Sequence, residues 1–249
     1  MPSVPYLPFA FPGLDTVRCV FTTRAPADGP SQASAGNLSF GFGDSDPDVL
    51  KRRQALQQEL GFQTWTTVRQ VHGTDMVFAP RDVPDQDRPR ADAMATDREG
   101  QALAVSVADC QPLMLAHVSG RYVAGLHVGW RGNRAQAPAL WAKSFCHHFG
   151  LDPADIMAVR GPSLSPACSQ FVNFDSEWGP RFLGYLSQED MTVNLWRMTR
   201  DQLLTAGLKP EHIFSIDLCT FSLPSMFYSY RRDRSCGRQA ALIWIQQSC

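Results

Sequence analysis

The sequence predicts a mixed α+β protein, and three observations carry that expectation. Short β-branched or apolar runs of strand length recur along the chain. Between them lie segments of helical periodicity with their own start and stop residues. The order of the two kinds lacks the strict strand–helix alternation of a wholly parallel sheet. A chain of 249 residues buries a sizeable core without staples, and with no internal repeat it reads as one domain spanning residues 1–249. Two loop excursions interrupt it, "APADGPSQASAGN" (25–37) and "APRDVPDQDRPRADA" (79–93), both rich in turn residues.

In chain order, "RCVFTTR" (18–24) reads as a strand, and so does "TTVRQVHG" (66–73). "PDVLKRRQALQQELG" (47–61) is a helix. Pro47 suits its first turn, Val49, Leu50, Leu56 and Leu60 make the apolar stripe, and Gly61 ends it. "ALAVSVADC" (102–110) and "RYVAGLHVGW" (121–130) read as strands covered on both faces, with Pro112 stopping the first of them from extending. "APALWAKSFCHHFG" (137–150) is an amphipathic helix closed by Gly150, with His147 and His148 at the end where the helix dipole favours them. "TVNLWRMTRDQLLTAGL" (192–208) is a further helix, and "FYSYRRDRSCGRQAALIWIQQ" (227–247) looks like two strands around a turn.

Composition excludes several classes. A formal net charge of −1 leaves no electrostatic footprint for nucleic acid or an anionic membrane. No apolar stretch approaches the roughly 20 residues of a spanning helix. The start, "MPSVPYLPFAFPGL", lacks a basic region and is not expected to be a signal peptide. Seven cysteines without repeating spacing point to free thiols in a reducing cytoplasm. A cytoplasmic protein acting on a small molecule is expected. Nothing sets an oligomeric state, and a monomer is the simplest expectation.

Three residues stand where a strand meets turn chemistry: His72 in "QVHGTD", Cys110 in "ADCQP" and His127 in "AGLHVGWRG". Two imidazoles and a thiolate with an open fourth position are a catalytic zinc set. His₂Cys is also the core of a blue-copper site, and a Cys with a nearby His can be a nucleophile and its base. The separations, 72 to 110 and 110 to 127, fit no short zinc motif. Asp109 is harder to explain as packing, because a carboxylate in an apolar run costs several kcal/mol unless it has a partner. Arg131 and Arg24 are candidate partners for it or for a substrate anion, as are Arg231, Arg232 and Arg238 in the tail. Trp130 could stack a flat ring, Cys168 follows a "GP" turn that could approach a site, and Asn37 in "GNLSFGFGD" could hydrogen-bond a hydroxyl or a base. Cys19, Cys146, Cys219 and Cys249 read as core or terminal thiols, and His117 and His212 as surface residues.

The set "RQVHG", "ADAMATDREGQALAVSVADCQPLML", "AGLHVGWRG", "GPSLSPAC", "LCT" and "FYSYRRD…GRQ" resembles the YfiH-like proteins, also called laccase-domain proteins, polyphenol oxidases or peptidoglycan editing factors. The resemblance runs from about Phe21 to Ile245. It implies mixed β-sheets packed as a sandwich with flanking helices. It implies that His72, Cys110 and His127 bind a metal, zinc first and copper as the alternative. It also implies phosphorolysis of adenosine, inosine, guanosine and methylthioadenosine, with inorganic phosphate as co-substrate, and an adenosine deaminase side activity. On that reading Asp109, Cys110 and Arg131 are catalytic, and Arg24, Asn37, Arg231 and Arg232 bind substrate. Departures fall at Asn173, Arg234, Cys236 and Asn133 and bear on substrate preference. A multicopper laccase mechanism is excluded by only six histidines and no H-x-H pair. A single-copper phenol oxidase, a cysteine hydrolase of peptidoglycan editing and a non-catalytic binding protein are the alternatives.

Overall fold

The computed structural model describes residues 4–24, 36–42 and 44–247. Most of the 25–37 excursion, and Cys249, lie outside the described residues.

Two mixed sheets form the body. The first is built from β1 (Tyr6–Phe9), β2 (Val17–Thr22), β3 (Thr64–Thr66), β6 (Gln101–Val107) and β13 (Gln239–Ile245), in the order β1-β2-β13-β6-β3. The second takes β4 (Met76–Phe78), β5 (Ala93–Thr96), β7 (Gln111–His117), β8 (Val123–Val128), β9 (Ile156–Arg160) and β12 (Ile213–Ser215), in the order β12-β9-β7-β8-β5-β4. A short ribbon joins β10 (Leu186–Ser187) to β11 (Thr192–Val193). The helices are α1 (Asp46–Leu60), α2 (Trp130–Arg134), α3 (Ala137–Phe149), α4 (Phe174–Glu177) and α5 (Leu195–Thr205).

Strand periodicity produces the layering. On β6, Leu103, Val105 and Val107 enter the core between the sheets, where they meet Phe21, Met114, Val123 and Val159. Ala102 and Ala104 point the other way, toward Leu56 of α1, Phe62 and Trp65. On β7 and β8, Leu113, Leu115, Leu126 and Val128 pack against Trp141 and Phe145 of α3. Both sheets are therefore covered on both faces, which is why their strands read as nearly continuous apolar runs. The α+β sandwich with flanking helices is observed.

Several boundaries differ from expectation for physical reasons. The run 102–117 is two strands in different sheets. β6 ends at Val107, the chain bends through Ala108–Cys110, and β7 starts at Gln111. Pro112 does not stop a strand but sits near the start of β7, where a missing N–H is tolerated. Of the expected strand 66–73 only Thr66 lies in a strand, at the end of β3, because the backbone after it curls around a buried carboxylate. The tail holds one strand, β13, and not two; residues 227–238 form turns held by arginine side chains. Residues 192–193 belong to β11, so the helix expected at 192–208 is confined to Leu195–Thr205. The other two long helices match. α1 is capped by left-handed Gly61 and α3 by left-handed Gly150. In α1, however, Leu50 is exposed and the buried stripe is Val49, Arg53 and Leu56.

Candidate functional site

The chain bend between β6 and β7 brings the site together. Cys110 lies in that bend, His127 near the end of β8, and His72 in the loop after β3. One ligand atom from each, all within 4.8 Å of one another, makes a cluster that could hold a metal ion. Cys110 Sγ lies 3.8 Å from His72 Nε2, and the two imidazoles meet edge to face at 4.7 Å between centroids.

The His72 loop is shaped by Asp92, which is buried at the head of β5. Its carboxylate accepts from the backbone N–H groups of Val71 (3.2 Å), His72 (2.9 Å) and Gly73 (2.6 Å), and from His127 Nδ1 (2.7 Å). This grip holds His72 at a φ of 59°, a conformation rare outside glycine. Burial opposes the Asp92 charge, but the bonds from His127, Gly73 and His72 overcome it and hold the carboxyl below its usual range. An ionised carboxylate only accepts, so His127 Nδ1 carries a proton, and Nε2 is the ring nitrogen left for Cys110 or for a metal. Trp141 ties the same loop to α3 by donating from Nε1 to the Thr74 carbonyl at 2.6 Å.

Burial opposes the Cys110 thiolate as well, yet His127 and His72 outweigh it and bring the thiol down to about 6. In His127 burial opposes protonation, and Cys110 with Asp92 reverses that and pushes the imidazole up to about 9. The chain alone therefore favours the thiolate, the form a metal requires. Gly129 lets the three side chains converge, since a Cβ there would stand 2.8 Å from His72 Cδ2 and 3.4 Å from Cys110 Sγ. The donor set suits zinc or a soft metal.

The cluster opens into a cavity of about 890 Å³. Asp109, Arg131 and Arg231 line it, as do Trp130, Phe171 and Asn173. Asp109, at φ 93°, does not pair with a guanidinium: its carboxylate accepts from the Thr220 hydroxyl and the Arg231 backbone N–H, both at 2.7 Å. Arg231 also donates to the Gln170 carbonyl, and Arg131 lies over the Trp130 ring at 4.4 Å.

Three expected substrate residues are not among those lining the cavity. Asn37 is fully buried and holds the Ser39 backbone and the Arg238 N–H. Arg232 donates to the carbonyls of Thr220, Phe221 and Phe227, and Arg24 to that of Pro224. Asn37, through Ser39 and Arg238, and Arg232, through Thr220, brace residues of the wall from behind. Cys168 is also absent from the lining; its Sγ lies 3.3 Å from the Ser222 hydroxyl. Asn133 is buried against Thr199 of α5, and Cys236 is buried under Tyr228. Sequence reading missed Asp92, Gln70, Arg88 and Gln111. Asp92 carried a signal like the one that singled out Asp109, a carboxylate adjoining an apolar run.

Among the described residues, no helix is long and apolar enough to cross a membrane. A family model described as multi-copper polyphenol oxidoreductase laccase matches residues 18–246. A purine nucleoside phosphorylase of Xylella fastidiosa is 32% identical over 88% of this chain and 89% of its own. The purine nucleoside phosphorylase YfiH of Escherichia coli is 31% identical over 84% of this chain and 86% of its own. The crystal structure of YlmD from Geobacillus stearothermophilus superposes with a TM-score of 0.84 at 25% identity, covering 99% of this chain and 98% of that one.

Proposed function

The chain belongs to the multi-copper polyphenol oxidoreductase laccase family, and from that premise we propose that it is a purine nucleoside phosphorylase. The observation that carries the reading is the His72–Cys110–His127 cluster at the base of an arginine-lined cavity, in a chain whose relatives bear that name. Zinc is the metal the donor set suits best. Bound there, it would supply Lewis-acid charge to an oxygen of the reaction.

The chain's own residues supply the rest. Phosphate must reach the anomeric carbon as the base departs, and charge on both is stabilised by fixed cations and dipoles. Arg131, Arg231 and Arg234 line the cavity and are placed to bind phosphate. Asp109 fixes the Arg231 backbone to the residue beside the Cys110 ligand, so phosphate cation and metal site move as one unit. Its carboxylate lines the cavity beside Cys110 and is the proposed proton-transfer group. Adenosine deamination would use the same cavity without phosphate. The enzyme is proposed to act as a cytoplasmic monomer.

One observation favours a second reading. A thiolate held between two imidazoles is also a cysteine nucleophile, as a peptidoglycan-editing hydrolase would need. A copper phenol oxidase has less support, since Met114, the methionine nearest Cys110 in sequence, lies in the core between the sheets and not at the cluster.

Chromatography of products from adenosine, with and without phosphate, tests the proposal. Adenine and ribose 1-phosphate that form only with phosphate support it. Inosine in the absence of phosphate identifies the deaminase. Cleavage of peptide-bearing sugars by metal-stripped protein, with no nucleoside product, overturns it in favour of the hydrolase.

A further inference from the structure

Gln111 is buried to 1%, yet neither its Nε2 nor its Oε1 has a hydrogen-bond partner. Among the described residues lining the cavity, it is the one whose side chain carries such orphaned polar atoms. A buried amide without partners costs on the order of 1–3 kcal/mol, a cost that a bound polar ligand would offset. Strand register says which way it points. Gln111 is opposite Val128, and the next pair of the same parity, Leu113 and Leu126, belongs to the helix-side core. His127, opposite Pro112, projects to the other face. The cavity thus wraps over the ends of β7 and β8, with the metal cluster on one side and the Gln111 amide on the other. The lining also carries the rings of Trp130 and Phe171 and the apolar side chains of Leu164 and Leu195, with Arg131 over the Trp130 ring at 4.4 Å and Arg231 near that of Phe171 at 5.9 Å.

Aromatic walls around one free amide match a flat heterocycle with a donor and an acceptor side by side on its edge. We infer that Gln111 reads the edge of the purine base in this cavity and is a specificity-determining residue of the enzyme. The inference rests on the nucleoside reading above and deepens it. A carboxamide presents a donor and an acceptor in either order once it turns about its terminal bond. It can therefore pair with the amino group and ring nitrogen of a 6-aminopurine, or with the oxo group and N–H of a 6-oxopurine. The ribose of a base seated there would extend over the strand ends toward the metal cluster.

Calorimetric titration of wild type and Gln111→Met with adenine, hypoxanthine and benzimidazole tests this, needing neither turnover nor metal. Methionine nearly conserves volume and removes only the amide. Wild type should bind both purines more tightly than benzimidazole, which has the shape but not the polar edge. In the variant both purines should weaken by roughly ten- to hundredfold, to the level of benzimidazole, whose own affinity stays put. The unliganded variant should melt at or above the wild-type temperature, because an orphaned amide has been removed. The inference is overturned if wild type does not prefer purines, if the variant keeps the preference, or if it melts well below wild type and the amide is therefore holding the fold. Wild type that binds purines through Gln111 but cleaves no nucleoside sinks the phosphorylase reading alone. Nucleoside cleavage with unchanged KM and kcat in the variant sinks this inference alone.

Discussion

Replacing Asp92 with Asn tests the logic of the site at its least visible residue. The carboxylate takes two donors on each oxygen: His72 N–H and His127 Nδ1 on Oδ1, and Val71 and Gly73 N–H on Oδ2. Asparagine keeps one acceptor oxygen, so two buried donors would face an amide NH₂ whichever way it flips. At about 1.5–3 kcal/mol for each bond to a charged group, the loss is on the order of 3–6 kcal/mol. The cost of breaking a buried ion pair, about 3–5 kcal/mol, agrees. Urea denaturation of metal-free protein should therefore show a loss of about 3–5 kcal/mol. Competition against a chromophoric chelator should show zinc binding weakened roughly ten- to hundredfold, as for other partners of metal-bound histidines. The sign with pH follows from the depressed carboxyl. Its stabilisation is present above the ordinary carboxylate pKa of 3.8 and is lost as pH falls through the lower folded value. The variant should accordingly lose less stability than wild type on acidification below that range. A variant within about 0.5 kcal/mol of wild type, with unchanged zinc affinity, would refute the assignment of Asp92 as the hub.

Other consequences follow from the same geometry. Gly129→Ala leaves the backbone unstrained but drives a Cβ against His72 and Cys110, so zinc affinity should fall at least tenfold while urea stability drops by only about 1–3 kcal/mol. Trp141→Phe removes the donor to Thr74 and should cost about 1–3 kcal/mol in denaturation, with a parallel weakening of zinc binding as the His72 loop loosens. Arg234→Ala and Arg231→Ala should raise the KM for phosphate more than they lower kcat, with the larger effect at Arg231, whose backbone is fixed to Asp109.

Much of the fold was legible because its periodicities are local. α1 and α3 were readable to within a residue or so from their prolines, apolar spacing and terminal glycines. The clustered residues His72, Cys110 and His127 were readable because a Gly or Pro one or two positions after a His or Cys marks a side chain delivered where the backbone turns. What the pattern could not reveal is which sheet a strand joins. β6 and β7 are both covered on two faces, so the change of sheet at Ala108–Cys110 is hidden inside one apolar run. Nor does residue type say where a polar side chain points. Arg232 and Asn37 have the chemistry to bind substrate, but backbone carbonyls and amides close by claim it first. Asp92 and Gln111 were missed for the converse reason: each looks like an isolated polar residue in a strand until β5, β7 and β8 are laid side by side.

The His72–Cys110–His127 cluster and the cavity above it are proposed to form one nucleoside-cleaving centre. Titrating zinc into metal-stripped protein while following ribose 1-phosphate from adenosine and phosphate tests this most directly. Activity should climb in proportion to added zinc and level off at about one equivalent per chain, while Cys110→Ala stays inactive throughout. Full activity in the stripped protein, or a Cys110→Ala variant that matches wild type, would contradict the account.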